Sequence, residues 1–220
     1  MGNAESRTSI LARVRAGLRQ DPALAASRRQ AALDTIAERR QGPRPDLPGD
    51  LVQRFCGRSQ AMSSTVDHLQ KIADVPSAVA RYLAAGGLPM QAVCWEEYRD
   101  LAWVDVGLAV EARAAHGDDL VGISGTFCAI AETGTLMLLS GPKTAATTSL
   151  LPETHIAIVP ASRIVAGMEE GFALLRAEHG ELPRAVNFVS GPSRTGDIEL
   201  TIVLGAHGPY RVHLLIVNEA

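Results

Sequence analysis

Three glycine-bounded segments in the second half of the chain contain most of the residues that could bind a ligand or move a proton. The first, Gly122–Thr135, has Gly125 and Thr126 after an apolar stretch, where glycine permits close approach of a ligand. We expect a short helix next, with N-terminal amides suited to a phosphate or carboxylate. Glu132 at its far end could be a base, a nucleophile or an arginine partner, beside a turn of Thr133, Gly134 and Thr135. The alternative is an ordinary turn with capping hydroxyls and one exposed acid.

The second segment, Gly191–Glu199, gives the strongest binding signal. Arg194 presents a fixed fork of N–H donors that suits a carboxylate or phosphate. Three neighbours add hydroxyls and an acid: Ser193, Thr195 and Asp197. We expect Asp197 to open a short helix. The alternative is that Asp197 only caps that helix and that Arg194 pairs with Glu199 or Glu132.

The third segment, Gly205–Pro209, places His207 in a turn between glycines. A histidine there could act as an acid, a base or a ligand donor. The alternative is a structural hydrogen bond. The sequence has no G-x-S-x-G elbow, no H-E-x-x-H pair, no Walker A sequence and no G-x-G-x-x-G spacing. The common hydrolase, metalloprotease and nucleotide-binding signatures are therefore absent.

The elements that must position these segments alternate between helices and apolar strands after residue 50. This alternation predicts an α/β fold, a mainly parallel twisted sheet flanked by helices. Helices are predicted around 50–62, 76–85 and 163–179. Strands are predicted at 65–69, 90–95, 107–112, 120–124, 135–140, 155–160, 185–190 and 211–217. Because parallel sheets bind ligands beyond the carboxyl ends of their strands, we expect all three segments at that edge.

An arginine-rich segment precedes the α/β body. One helix is predicted at Ser6–Gln20 and a second from Asp21 to about Arg40. A Pro- and Gly-rich linker follows them. We therefore divide the chain into a helical arm with linker, 1–46, and a domain, 47–220. Up to Arg44 there are nine arginines and four acidic residues, a local charge of +5. Since the net charge of the chain is −3, the residues after Arg44 carry −8. That charge argues against nucleic-acid binding by the body. The arm is expected to pack on another surface, and a second copy in a homo-oligomer is one candidate.

Cys56, Cys94 and Cys128 are far apart and form no C-x-x-C pair. Local motifs therefore predict no metal site and no bound cofactor, and the cysteines are expected to be buried. No apolar run is long enough for a membrane span, and the N-terminal residues are polar. A cytoplasmic location is the expectation that follows.

In combination and order, the motifs resemble those of the lactate-utilisation protein C family, also called the LUD domain family. The similarity runs from about Leu51 to the C-terminus. Gly196 and Ala206 stand where we would expect Ala and Val, and both are small. The matching stretches are Gly122–Thr135, Leu150–Ile156, Gly191–Glu199 and Gly205–Pro209.

This resemblance implies a fold of the NagB/RpiA/CoA-transferase-like group and a role in oxidising L-lactate to pyruvate. It also implies partner proteins that hold iron–sulfur clusters. Our first hypothesis is a subunit of this oxidoreductase system that binds either a small organic anion or its iron–sulfur partner proteins at Glu132, Arg194 and His207. The second is a stand-alone CoA-transferase-like or sugar-phosphate-isomerase-like enzyme with Glu132 as nucleophile or base. The third is a non-enzymatic assembly factor that docks through the arm.

Overall fold

The computed structural model describes residues 3–18, 24–46, 48–198 and 201–219. The chain forms two compact units, Met1–Asp46 and Leu47–Ala220. The first unit contains two helices, α1 (Asn3–Gly17) and α2 (Ala25–Glu38), where the arm was predicted to be helical. Helix α2 ends at Arg39, which adopts the left-handed conformation and donates its N–H to the Ile36 carbonyl. None of the described helices is long and apolar enough to cross a membrane.

A six-stranded sheet forms the centre of the second unit, and each of its pairings is parallel. The adjacent strands β12 (Arg211–Glu219) and β7 (Thr154–Pro160) each contain a buried aliphatic run, Leu214–Val217 and Ile156–Val159, as expected for strands covered on both faces. In spatial order the strands are β1 (Thr65–Lys71), β12 (Arg211–Glu219), β7 (Thr154–Pro160), β4 (Val121–Ser124), β2 (Gln91–Cys94) and β3 (Ala109–Ala112).

A smaller mixed sheet contains β8 (Ile164–Val165), β5 (Cys128–Ile130), β6 (Thr135–Leu139) and β9 (Val186–Val189), in that spatial order. Its side chains alternate between two cores, as the two-residue period of a strand requires. Leu136 and Leu138 join the main core, whereas Cys128 and Met137 pack with Leu175 of helix α6 (Met168–His179). The smaller sheet therefore connects α6 to the main core.

The remaining helices are α3 (Leu51–Ala61), α4 (Val75–Ala85) and the short α5 (Thr147–Leu150). Asp50 caps the N-terminus of α3, because its carboxylate accepts a hydrogen bond of 2.7 Å from the Gln53 N–H. Helix α4 buries Val79 and Leu83 in the main core. A two-stranded hairpin, β10 (Arg194–Ile198) and β11 (Thr201–Leu204), precedes β12.

The mainly parallel α/β fold is confirmed, but three local predictions are wrong. Cys128–Ile130 is a strand instead of a short helix, because it pairs with β6 and β8. Arg194–Ile198 is also a strand, because it pairs with β11, so Asp197 does not open a helix. The last predicted helix begins at Met168 instead of Arg163, since Ile164 and Val165 pair with β5. In each case a partner strand distant in sequence decides the local structure.

Candidate functional site

The three glycine-bounded segments do not share one edge of the main sheet. Gly125 and Thr126 follow β4 and lie at its carboxyl edge, as predicted. The segments around Arg194 and His207 lie at the amino edge, where the Ser193 N–H donates to the Pro209 carbonyl just before β12 begins. The prediction was wrong for these two segments. Strand β9 runs antiparallel to β6 in the smaller sheet, and Gly205–Pro209 precedes a parallel strand instead of following one.

At the amino edge, the turn between α3 and β1 holds Arg194. Its Nη2 donates to the Met62 carbonyl at 3.1 Å and to the Ser63 hydroxyl at 2.6 Å. Gly191 lies against the same Met62 carbonyl and has φ +75°, so a side chain there would clash with the turn. The guanidinium is thereby fixed in orientation while its side chain remains exposed.

Three hydroxyl groups form a row beside this turn. The Thr135 Oγ1 lies 2.7 Å from the Thr133 Oγ1 and 2.6 Å from the Ser190 Oγ. Gly134 between the threonines has φ +69°, and a Cβ on it would lie 2.6 Å from the Ser59 backbone nitrogen. The last turn of α3 therefore sets the position of the row. We call Thr133, Thr135, Ser190, Ser193 and Arg194 the amino-edge cluster.

The other predicted residues border this cluster to different extents. Glu132 is half-buried directly before the hydroxyl row, and its backbone N–H donates to the Ala166 carbonyl. His207 is exposed in a loop whose Gly208 packs on Ser193. Thr195 is buried in β10. Asp197 belongs to β10, but its side chain and all of Glu199 lie outside the described residues. Within the described residues, no side-chain contact joins Glu132 to Arg194 or His207.

At the carboxyl edge, a cavity of about 570 Å³ lies beyond β2, β4 and β7. Its walls are largely apolar and include Trp95, Phe127, Pro142 and Pro160. Thr126 lines it, but the Thr126 hydroxyl lies within hydrogen-bond distance of two carbonyls, that of Cys128 at 2.7 Å and that of Met137 at 3.1 Å.

The polar floor of this cavity is a pair that the sequence did not reveal, Glu97 and Tyr98. A Cβ on Gly125 would lie 2.5 Å from both the Glu97 Oε1 and the Tyr98 hydroxyl oxygen, so this approach requires glycine. Although much of the Glu97 side chain is exposed, burial of its carboxyl group raises its pKa, and the hydrogen bond from Tyr98 offsets part of that rise. Gly125 was the only signal of this pair in the sequence, and it did not indicate which residues lie against it.

Arg163 at the cavity wall already has a carboxylate partner. Its Nη1 and Nη2 donate to the two Glu178 oxygens at 2.6 and 2.9 Å, and its Nε donates to the Phe127 carbonyl at 2.8 Å. The guanidinium also lies 4.8 Å from the centre of the Phe127 ring. The positive charge of Arg163 is therefore neutralised by Glu178.

The three cysteines are buried and free, as predicted from their sequence context. Burial raises the pKa values of the Cys94 and Cys128 thiols to about 11, so both are neutral near pH 7. Among the described residues, no group of three or more His, Cys, Asp or Glu side chains is arranged to hold a metal ion.

The fold and sequence define the class of protein. The structure is similar to the crystal structure of a DUF162 family protein from Deinococcus radiodurans, with a TM-score of 0.59 and 23% identity over 79% of this chain and 100% of that one. The LUD domain model matches residues 50–217. The chain belongs to the LUD domain family, which confirms the resemblance seen in its motifs.

Particular relatives include the lactate utilization protein C of Bacillus licheniformis, 36% identical over 129 residues, which are 53% of this chain and 54% of the relative. Lactate utilization protein C 1 of Bacillus mycoides is 43% identical over 112 residues, 50% of this chain and 47% of the relative. The Bacillus subtilis protein of the same family is 38% identical over 45% of this chain and 42% of its own length. The chain therefore spans about half the length of the curated relatives it matches.

Proposed function

We propose that this chain takes part in lactate utilization and that its amino-edge cluster binds a small organic anion of the 2-hydroxy or 2-oxo acid class. The names of its relatives support a role in lactate utilization. The geometry of Arg194 supports the anion, because its guanidinium is exposed and held in place through one nitrogen.

The cluster offers what such a ligand needs. A carboxylate accepts charge-assisted N–H donors, and Arg194 keeps those of Nε and Nη1, because both hydrogens of Nη2 are used by the Met62 carbonyl and the Ser63 hydroxyl. Thr133 and Ser190 are exposed hydroxyls in the row beside it, and they suit the oxygen on the second carbon of the ligand. The ligand would thus be oriented by charge at one end and by neutral hydrogen bonds at the other.

Oxidation of L-lactate to pyruvate releases two electrons and two protons. We assign the proton-accepting roles to Glu132 and His207, which flank the cluster from two loops. The electrons would pass to partner proteins that hold iron–sulfur clusters, since local motifs of this chain supply no redox group.

The test is growth on L-lactate of host cells that lack the native gene and carry variants of it. Arg194→Ala should abolish growth on L-lactate and leave growth on glucose unchanged. Arg81→Ala is the matched control, because Arg81 is an exposed arginine paired with Asp67 away from the cluster. Normal growth of Arg194→Ala on L-lactate would contradict the assigned site.

The partner proposal has a separate test. The tagged chain purified from its native host should bring down proteins that show the broad visible absorption of iron–sulfur clusters. A colourless, solitary protein that turns over a CoA thioester or a sugar phosphate would instead support the stand-alone enzyme.

A further inference from the structure

We propose that the cavity at the carboxyl edge is a second ligand site, separate from the amino-edge cluster. The ligand class is a planar aromatic molecule that presents two adjacent N–H donors, as an amidine does, to the Glu97 carboxyl group.

The charge of the cavity favours such a donor. Among the described residues that line it, the Glu97 carboxyl group has no ion-pair partner, whereas Arg163 is paired with Glu178 and His179 packs its ring edge against Phe127. The Tyr98 hydroxyl and the Glu97 carboxyl group both lie against Gly125, and a carboxylate can accept several hydrogen bonds. An anionic ligand would meet this carboxylate without a free cation to offset it.

Two neutral hydroxyl groups of the cavity, those of Thr126 and Thr144, suit the same ligand. The hydroxyl proton of Thr126 is used by the carbonyls of Cys128 and Met137, and that of Thr144 by the Leu139 carbonyl. A hydroxyl has a single proton to donate. These two side chains therefore have only lone pairs left for the N–H groups of a ligand, whereas Ser140, which accepts from the Ala185 N–H, keeps its hydroxyl proton.

The walls suit a flat ring. The Trp95 indole is fixed because its Nε1 donates to the Ala145 carbonyl at 3.1 Å. The Phe127 ring is held by the Arg163 guanidinium and by the His179 ring, whose centroid lies 5.5 Å away. Aromatic surfaces bind flat apolar groups with little loss of side-chain freedom. The volume of about 570 Å³ also suits a small molecule.

The position in the fold is the one that parallel sheets use for ligands. The cavity lies beyond the carboxyl ends of three neighbouring strands, β2, β4 and β7. In open parallel sheets, ligands bind in the crevice at this edge. The amino-edge cluster lies at the opposite edge of the sheet and presents the positive charge of Arg194 instead of a carboxylate. The two sites therefore differ in location and in charge.

The experiment uses three probes with the same ring, namely benzamidine, benzamide and benzoate. The full chain is titrated with each, and affinity is taken from the indole N–H signal of Trp95 in a two-dimensional NMR spectrum. This readout excludes benzoate bound at Arg194. Benzamidine should bind at least about tenfold more tightly than benzamide, and benzoate most weakly.

Two variants locate the interaction. Glu97→Gln should lower benzamidine affinity by about tenfold, because it removes a charge-assisted pair. Glu96→Gln is the matched control and should keep the affinity within about twofold; Glu96 is the adjacent glutamate, paired with Arg99. The proposal is overturned if benzamidine does not saturate the Trp95 signal, if benzoate binds more tightly, or if Glu97→Gln binds benzamidine as the wild type does. The wild-type ranking decides the question even if Glu97→Gln does not fold.

Discussion

The Oγ of Ser124 lies 2.7 Å from the Nε2 of His155, and both side chains are completely buried between the neighbouring strands β4 and β7. The Ser124 hydroxyl also lies 2.9 Å from the Gly125 carbonyl, the residue beneath Glu97 and Tyr98. The other ring nitrogen of His155, Nδ1, has no hydrogen-bond partner within the described residues. This buried pair therefore supports the floor of the carboxyl-edge cavity from inside the sheet.

Because the His155 imidazole is buried, the free energy of unfolding should depend on pH. Burial lowers the pKa of His155 to about 4, whereas an unfolded histidine titrates near 6.5. Between these values the unfolded chain binds the proton and the folded chain does not. The free energy of unfolding should therefore fall by about 1.4 kcal/mol per pH unit from this group as pH drops from 6.5 to 4, with no contribution above 6.5.

The measurement is urea unfolding at several pH values for the wild type and His155→Asn. The variant should lose this part of the acid slope, and His116→Asn, with an exposed side chain, should keep it. His213, whose pKa is also lowered to about 4 by burial, contributes equally to the wild type and to both variants. Identical slopes for His155→Asn and the wild type would contradict the assignment.

Gly134 should tolerate no side chain. Gly134→Ala places a methyl group 2.6 Å from the Ser59 nitrogen, at a residue with φ +69°. Gly107→Ala is the matched control, because Gly107 has φ +75° and no atom within 4 Å of its Cβ position. The control should cost about 1 kcal/mol of unfolding free energy for backbone strain alone. Gly134→Ala should cost about 2 kcal/mol more, because the α3 contact must open. Equal losses in urea unfolding would show that the contact does not constrain the turn.

Tyr98 should tune the acidity of Glu97. Burial raises the pKa of Glu97 and the Tyr98 hydrogen bond lowers it, so Tyr98→Phe should raise the pKa further. The titration is followed by NMR of the ¹³C-labelled glutamate carboxyl groups. Tyr210→Phe, at an exposed tyrosine beside Arg211, should leave Glu97 unchanged. A lower or unaltered pKa in Tyr98→Phe would rule out the hydrogen bond.

The hydroxyl row should contribute to stability through its middle member. Thr135 is buried and lies between two hydroxyl partners, so Thr135→Val should lower the free energy of unfolding by about 1 kcal/mol. Thr133→Val removes an exposed terminal hydroxyl and should have a smaller effect, because water can replace it as the partner of Thr135. A larger loss from Thr133→Val, measured by thermal or urea unfolding, would contradict the proposed order of the row.

The sequence was informative where a segment's own pattern decides its structure. Long apolar runs predicted β7 and β12, and Gly86 and Gly87 marked the end of α4 correctly. It failed at Cys128–Ile130, because three apolar residues fit a helix or a strand equally well until β6 and β8 are in place.

The candidate sites show the same limit of prediction from local sequence. Arg194 was predicted to bind a ligand from its fork and its glycine neighbours, and that role stays a prediction; the edge predicted for it was wrong because β9 pairs antiparallel in a separate sheet. Glu97 and Tyr98 were missed because their role comes from contact with Gly125, which follows a different strand. Such contacts between distant segments have no local pattern that sequence reasoning can detect.

The position of β12 also affects how the chain is made. Thr65 in β1 bonds to His213 in β12, a residue 148 positions later, and β1 has no other partner in the described sheet. At a synthesis rate of about 5–20 residues per second, β1 leaves the ribosome roughly 7 to 30 s before β12 does. The edge of β1 is open to pairing with other nascent chains throughout that time, and the edge of β7 is open from its own synthesis onward, since β7 begins at Thr154, 57 positions before Arg211. Insertion of β12 between them is therefore the step at which correct folding and aggregation compete.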